Sequence, residues 1–147
     1  MTRSEIREHI FRLVFRLEFN EASEMPAQLQ RYFSDVFRDD ENDSGDLKIV
    51  SFSEDEEAYI KGKYDRIVSM LPSLDEVISG NSKGWDVGRI GKVDLAILRL
   101  AVYEILHDDD IPVGVAIDEA VELAKKYGQD ESSSFVNGIL ASVAKSI

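Results

Sequence analysis

The sequence predicts an all-helical fold, a bundle of about seven helices in antiparallel packing. Three observations lead there. Apolar residues recur at three- and four-residue intervals in nearly every segment, the spacing that builds one helix face. The alternation that marks a strand is confined to Leu47 to Phe52, a run too isolated to found a sheet. Short connections with capping signals separate the periodic segments, and such connections favour antiparallel neighbours.

The first helix places Ile6, Ile10, Leu13, Val14 and Leu17 on one stripe and Phe11, Phe15 and Phe19 on a second, so it is expected to be buried on more than one side. A second helix starts at Pro26, a residue tolerated in a first turn, and carries Leu29, Tyr32, Phe33, Val36 and Phe37 inward before stopping near Arg38. The acidic run from Asp39 to Asp46 repels itself, contains Gly45 and reads as a solvated loop. Ser53 and Glu56 have capping-box spacing ahead of Ile60, Tyr64, Ile67, Val68 and Leu71. The chain bends at Pro72, and Ser73 with Glu76 repeats the box for a short helix over Leu74, Val77 and Ile78 that ends at Gly80. Asn81 to Gly84 forms a loop, and Asp86 caps a brief turn with Val87 and Ile90. Val93, Ala96, Ile97, Leu100, Ala101 and Ile105 define a long helix closed by Asp108 to Pro112. Val113 through Tyr127 forms the next, with Gly128 as its C-terminal cap, and Ser132 to Ser134 cap a last helix with Phe135, Val136, Ile139, Leu140 and Val143 inward.

These elements fit one domain over residues 1–147, with an N-terminal helical group (1–80) and a C-terminal one (85–147) sharing a core. At 147 residues and 44% hydrophobic content the chain can bury a real core. With no cysteine it has neither disulfides nor thiolate metal sites, as in a reducing compartment, so a cytoplasmic location is expected. No stretch approaches the roughly 20 apolar residues that span a bilayer, and the charged N-terminus lacks the apolar core of a secretion signal. A net charge of −12 repels phosphates at long range, so binding to nucleic acid requires a local cationic patch or a basic partner.

Catalytic signals are sparse. His107 lies beside Asp108, Asp109 and Asp110, where an imidazole among carboxylates can act as a base, but a cation in a last helical turn also complements the helix dipole. The glycines around Trp85 lack the lysine and serine of a phosphate-binding loop and the strand before it, so Trp85 reads as a packing or interface residue. In the opening helix Arg3 and Arg7 share a face, as do Arg12 and Arg16. Guanidinium groups there can fork onto phosphate oxygens, or pair with Glu5, Glu8, Glu18 or a carboxylate on another helix.

The C-terminal half carries a sharper signal. Val93-Asp-Leu-Ala-Ile-Leu-Arg-Leu-Ala-Val-Tyr-Glu-Ile105, then Asp110-Ile-Pro112, then Ala116-Ile-Asp-Glu-Ala-Val-Glu-Leu-Ala-Lys-Lys-Tyr-Gly128 and Ser134-Phe-Val-Asn-Gly-Ile-Leu140 follow in the order of the NusB family of transcription antitermination factors, which this chain resembles. The resemblance implies a non-enzymatic, all-helical protein without cofactor or metal. It implies binding to the boxA segment of ribosomal RNA leader transcripts together with the ribosomal protein NusE, within an antitermination complex on RNA polymerase. Carried over by position, Arg3, Arg7 and Phe15 would contact RNA from the opening helix, and Glu131, Ser132 and Phe135 from the start of the last. Asp94 would face the ribosomal protein. Ser4 and Glu5 stand where better-known members carry a denser arginine cluster.

Single-stranded RNA offers bases for aromatic stacking, phosphates for arginine and 2′-hydroxyls for polar side chains, and these residues supply all three complements. An acidic body would attract a basic ribosomal protein. Two other functions stay open at this level: a protein-only helical adaptor, suggested by Glu5 and the overall charge, and a carboxylate–histidine hydrolase around His107. Whether the free protein is a monomer or a homodimer also stays open.

Overall fold

The computed structural model describes the backbone of residues 1–34, 37–39 and 48–147, and the side chains of residues 1–34 and 51–147. Seven helices carry the described fold: α1 Arg3–Arg16, α2 Met25–Ser34, α3 Glu54–Ser69, α4 Leu71–Gly80, α5 Lys92–His107, α6 Val113–Tyr127 and α7 Ser132–Lys145. Thr2 caps α1 by accepting from the Glu5 amide at 3.1 Å. α1 packs on two sides, against α5 and against α3, while its Phe11–Phe15–Phe19 row runs from the buried Phe11 beside Tyr127 out to an exposed Phe19.

α2 ends earlier than its periodicity predicts. It stops at Ser34, and Phe37–Asp39 forms a strand, β1, paired antiparallel with β2, Lys48–Val50, in the register Phe37↔Val50, Arg38↔Ile49 and Asp39↔Lys48. Phe37 falls four residues after Phe33 and so continues a helical stripe on paper. The run from Leu47 to Phe52 lacked a visible partner for the same reason: its mate was hidden inside an assigned helix. Val36, expected on α2, and residues 40–46 of the expected solvated loop lie outside the described residues, while Asp39, the first residue of that loop, is the last of β1.

Ser53 and Glu56 close both arms of the capping box on α3, at 3.1 and 2.9 Å. The second box does not form. α4 starts at Leu71 with Pro72 in its first turn, where a fixed φ and a missing N–H are harmless, and Ser73 instead donates back to the Met70 carbonyl at 3.1 Å. The turn of the chain survives, because only Met70 separates the end of α3 from the start of α4.

α5 is the axis of the molecule. Every residue from Leu95 to Ile105 is buried, and the helix packs against α1, α3, α4, α6 and α7. A helix surrounded on all sides must neutralise any charge it carries. Its two deeply placed charges are Arg99 and Glu104. Arg99 forks onto Asp75 of α4 at 2.9 Å through each nitrogen and reaches Glu18, just beyond α1, at 2.6 Å. Glu104 accepts from Arg7 of α1 and from Lys63 of α3. These pairs seat three helices at defined heights along α5.

Gly128 follows α6, as its capping role predicts, but the reason is space. Its φ of −89° is open to any residue, whereas a Cβ there would sit 2.5 Å from the Ser132 side chain and 2.7 Å from the Ala124 carbonyl. The glycine lets α7 begin directly against the end of α6.

Candidate nucleic-acid interface

The opening arginines separate into different environments. Arg7 was expected at an RNA surface, and the structure corrects this. It is only 5% exposed, its Nε donates to both Glu104 carboxylate oxygens at 3.1 Å, and its Nη2 donates to one of them at 3.0 Å. Glu119 stands 3.7 Å from Nη1, and Lys63, itself bonded to Glu104 at 2.9 Å, reaches Asp108 at 3.2 Å. Burial works against the charge on Lys63, but Glu104, with Tyr59 and Asp108, outweighs it and raises its pKa. Arg7 therefore holds the bundle together and presents no guanidinium to solvent.

Arg12 joins a local network, as the pairing alternative anticipates. It donates to Glu8 at 3.1 Å and to the Tyr127 hydroxyl at 2.8 Å, while Tyr127 itself donates to Glu8. Burial would raise the Glu8 pKa, but hydrogen bonds from Lys126 and Tyr127, with the charges of Lys126 and Arg12, hold it below the usual carboxylate value. Arg16 donates to Gln28 at 3.1 Å and lies 5.0 Å over the Tyr32 ring. Arg3 differs from all of these. It is exposed and makes no ion pair, side-chain hydrogen bond or ring contact with any described residue, whereas Arg16 has Gln28 and the Tyr32 ring.

Phe15 is half-buried between Phe11, stacked at 6.2 Å, and Phe19, edge-on at 5.0 Å. Its row runs from a buried Phe11 to a Phe19 that is 58% exposed and lies under the Lys92 ammonium. Phe11 in turn touches Tyr127, which borders a hollow shared with Asp94 and Ser132.

The remaining predicted residues converge. Glu131, Ser132, Phe135 and Asp94 line one hollow, where the start of α7 meets the start of α5. Ser132 is buried and accepts from the Gln129 amide at 2.9 Å, so it locks the connection between α6 and α7 rather than facing solvent as a free cap. Glu131 is the residue at the N-cap, and its side chain makes no capping bond. Phe135 is half-buried, Asp94 partly so, and Glu131 exposed.

Two further residues line this hollow: Trp85, which the sequence reads as a packing or interface residue, and Arg89, which sequence reasoning did not single out. The Trp85 indole is 50% exposed and meets Phe135 edge to face at 6.4 Å. Its signal in the sequence was weak: a lone tryptophan in a glycine-rich loop, fifty positions from the ring it touches. His107 is exposed at the end of α5, 5.9 Å from the Tyr103 ring. Among the described residues no group of three or more histidines and carboxylates could hold a metal ion, and no helix is long and apolar enough to cross a membrane.

The architecture is thus a helical bundle with a central buried helix, and its aromatic, hydroxyl and carboxylate side chains gather at the mouth of α7. Fold and site together define an all-helical bundle protein with an interaction surface at the start of α7. The chain is a member of the NusB family, whose model matches residues 4–145. Its relatives include the transcription antitermination protein NusB of Lachnoclostridium phytofermentans, 47% identical over 97% of this chain and 98% of that protein. The corresponding protein of Agathobacter rectalis is also 47% identical, over 98% of this chain and all of the other. A solved structure of T. maritima NusB superposes with a TM-score of 0.80 at 32% identity, covering 99% of this chain and 92% of that one. A chain from a crystal structure of the antitermination factors NusB and NusE in complex with dsRNA shares the fold at 22% identity, with a TM-score of 0.71 and full coverage of both chains.

Proposed function

We propose that this protein is a cytoplasmic transcription antitermination factor that binds boxA-type single-stranded RNA of ribosomal RNA leader transcripts as a heterodimer with the ribosomal protein NusE. It acts by binding and positioning rather than by catalysis, and so helps RNA polymerase read through terminators. The observation that carries this reading is the convergence of Glu131, Ser132, Phe135 and Asp94 on one hollow in a chain that is a family member along nearly its whole length. Phe135 supplies a stacking ring, and Glu131 offers carboxylate acceptors for base or ribose hydrogens. Arg3 is the free cation of the first helix, and Phe15 lends partial ring surface further along it. Asp94 lies at the border of the same hollow, where a basic ribosomal partner can meet it while RNA occupies the α7 side.

The burial of Arg7 gives weight to a second reading, a protein-only adaptor, because it leaves fewer cations for phosphate. One experiment separates the two. Tagged protein is purified with its ribosomal partner and titrated with short leader RNA at two salt concentrations. RNA binding that strengthens with the partner and weakens with salt supports the antitermination reading. Partner capture with no RNA binding at either salt concentration leaves only the adaptor.

A further inference from the structure

Beside the hollow just described lies a second groove of about 390 Å³, between the chain that follows α4 and the middle of α7. Trp85 and Phe135 form the ridge between the two and line both. Three features of this groove ask for an explanation that packing does not provide.

The first is charge. The chain has 29 acidic residues against 17 lysines and arginines, yet Lys83 alone is charged among the described residues lining this groove. Lys83 is also held at a φ of +52°, a conformation that a residue with a Cβ rarely adopts. The second is rigidity. Asn81 donates to the Val77 carbonyl at 2.8 Å and accepts from Ser142 at 2.7 Å, pinning the end of α4 to α7. The Ser82 hydroxyl is held against the carbonyls of Ser79 and Trp85, fixing the loop that carries the indole. The third is Gly138. It sits inside α7, where glycine weakens a helix relative to alanine, and a Cβ built on it meets no protein atom within 4 Å. Nothing within the described chain excludes a side chain there.

We infer that this groove is a nucleotide subsite, in which a base of single-stranded RNA stacks on Trp85 over the bare floor at Gly138 while Lys83 meets its phosphate. An exposed indole, a flat floor and one cation suit a nucleotide, because every base has a π-face and every step of the strand has a phosphate. The subsite extends the RNA track from the Phe135 hollow along α7. It rests on the antitermination reading above.

The test uses the full chain with its ribosomal partner and a labelled single-stranded leader RNA. Trp85 is the only tryptophan, so its emission reports on the groove directly. Stacking quenches that emission, and Trp85→Ala weakens RNA binding by about tenfold while Trp85→Phe keeps most of it. Gly138→Leu fills the floor: it raises the melting temperature by about 3 °C and weakens RNA binding about tenfold, opposite signs that loss of folding does not produce. If both variants bind RNA as tightly as the parent and the indole emission does not move, the groove is not on the RNA track, although the antitermination reading stands. If the parent complex itself fails to bind RNA, that reading falls and the subsite with it. If the variants lose the ribosomal partner but hold RNA normally, the groove is a protein-binding surface and the inference is overturned.

Discussion

Arg3 and Arg7 lie one helical turn apart in opposite surroundings, the first exposed and the second buried. Removing Arg7 leaves Glu104 buried with Lys63 as its remaining close partner, and breaking a buried pair of this kind costs about 3 kcal/mol. Arg7→Met is therefore expected to lower the urea midpoint sharply while leaving RNA affinity unchanged at temperatures where the variant is folded. Arg3→Ala should do the reverse. Its stability stays within about 0.5 kcal/mol of the parent, and the slope of log affinity against log salt becomes shallower by about 0.7, the contribution of one phosphate contact on a single strand. The pair also marks a limit of reading residues from spacing alone. The i,i+4 rule places both on one face but does not indicate which end of that face is roofed by other helices.

At the scale of elements, capping-box spacing is not sufficient by itself: the neighbouring residues decide which box closes. The Ser53–Glu56 box closes within four residues, and Ser53→Ala should lower stability by about 1 kcal/mol in chemical denaturation. The Ser73–Glu76 box has the same spacing but is pre-empted by Pro72, which starts α4 earlier. The hairpin formed by β1 and β2 was missed because its ladder joins segments whose pairing no local periodicity reveals. At the junction of α6 and α7, Gly128→Ala should destabilise by about 1–3 kcal/mol through overlap with Ser132 and the Ala124 carbonyl. Because Ser132 also lines the candidate interface, the same variant should weaken RNA binding, measured by gel shift at a temperature where it remains folded.

For the molecule as a whole, the ion-pair networks set a pH window. Glu8 and Glu56 both have pKa values lowered in the fold, Glu56 to about 2 from an ordinary 4.5, chiefly through the Ser53 amide and the chain's own ammonium group. Groups of this kind stabilise the fold above the unfolded value, and the contribution is lost as pH falls through the folded one. The melting temperature should therefore drop as pH is lowered from about 4.5 toward 2. Lys63 has the opposite sign. Its raised pKa gives stability that is complete below the ordinary 10.5 and disappears as pH climbs through the higher folded value. A melting series across pH tests both edges. The net charge of −12 adds a kinetic expectation: association with a basic ribosomal protein slows as salt is raised, measurable by stopped flow.

The helical class, the apolar positions of α5 and the family motifs from Val93 to Leu140 were all legible in the order of residues, because each depends on neighbours a few positions apart. The fate of individual charges and rings was decided only by the folded chain. Arg7 finds Glu104 across 97 residues, and Trp85 finds Phe135 from a different element. Periodicity reports which face of a helix is apolar. Whether a charged residue on the remaining face meets water or a carboxylate depends on which helix is laid over it, and that is settled by packing around α5.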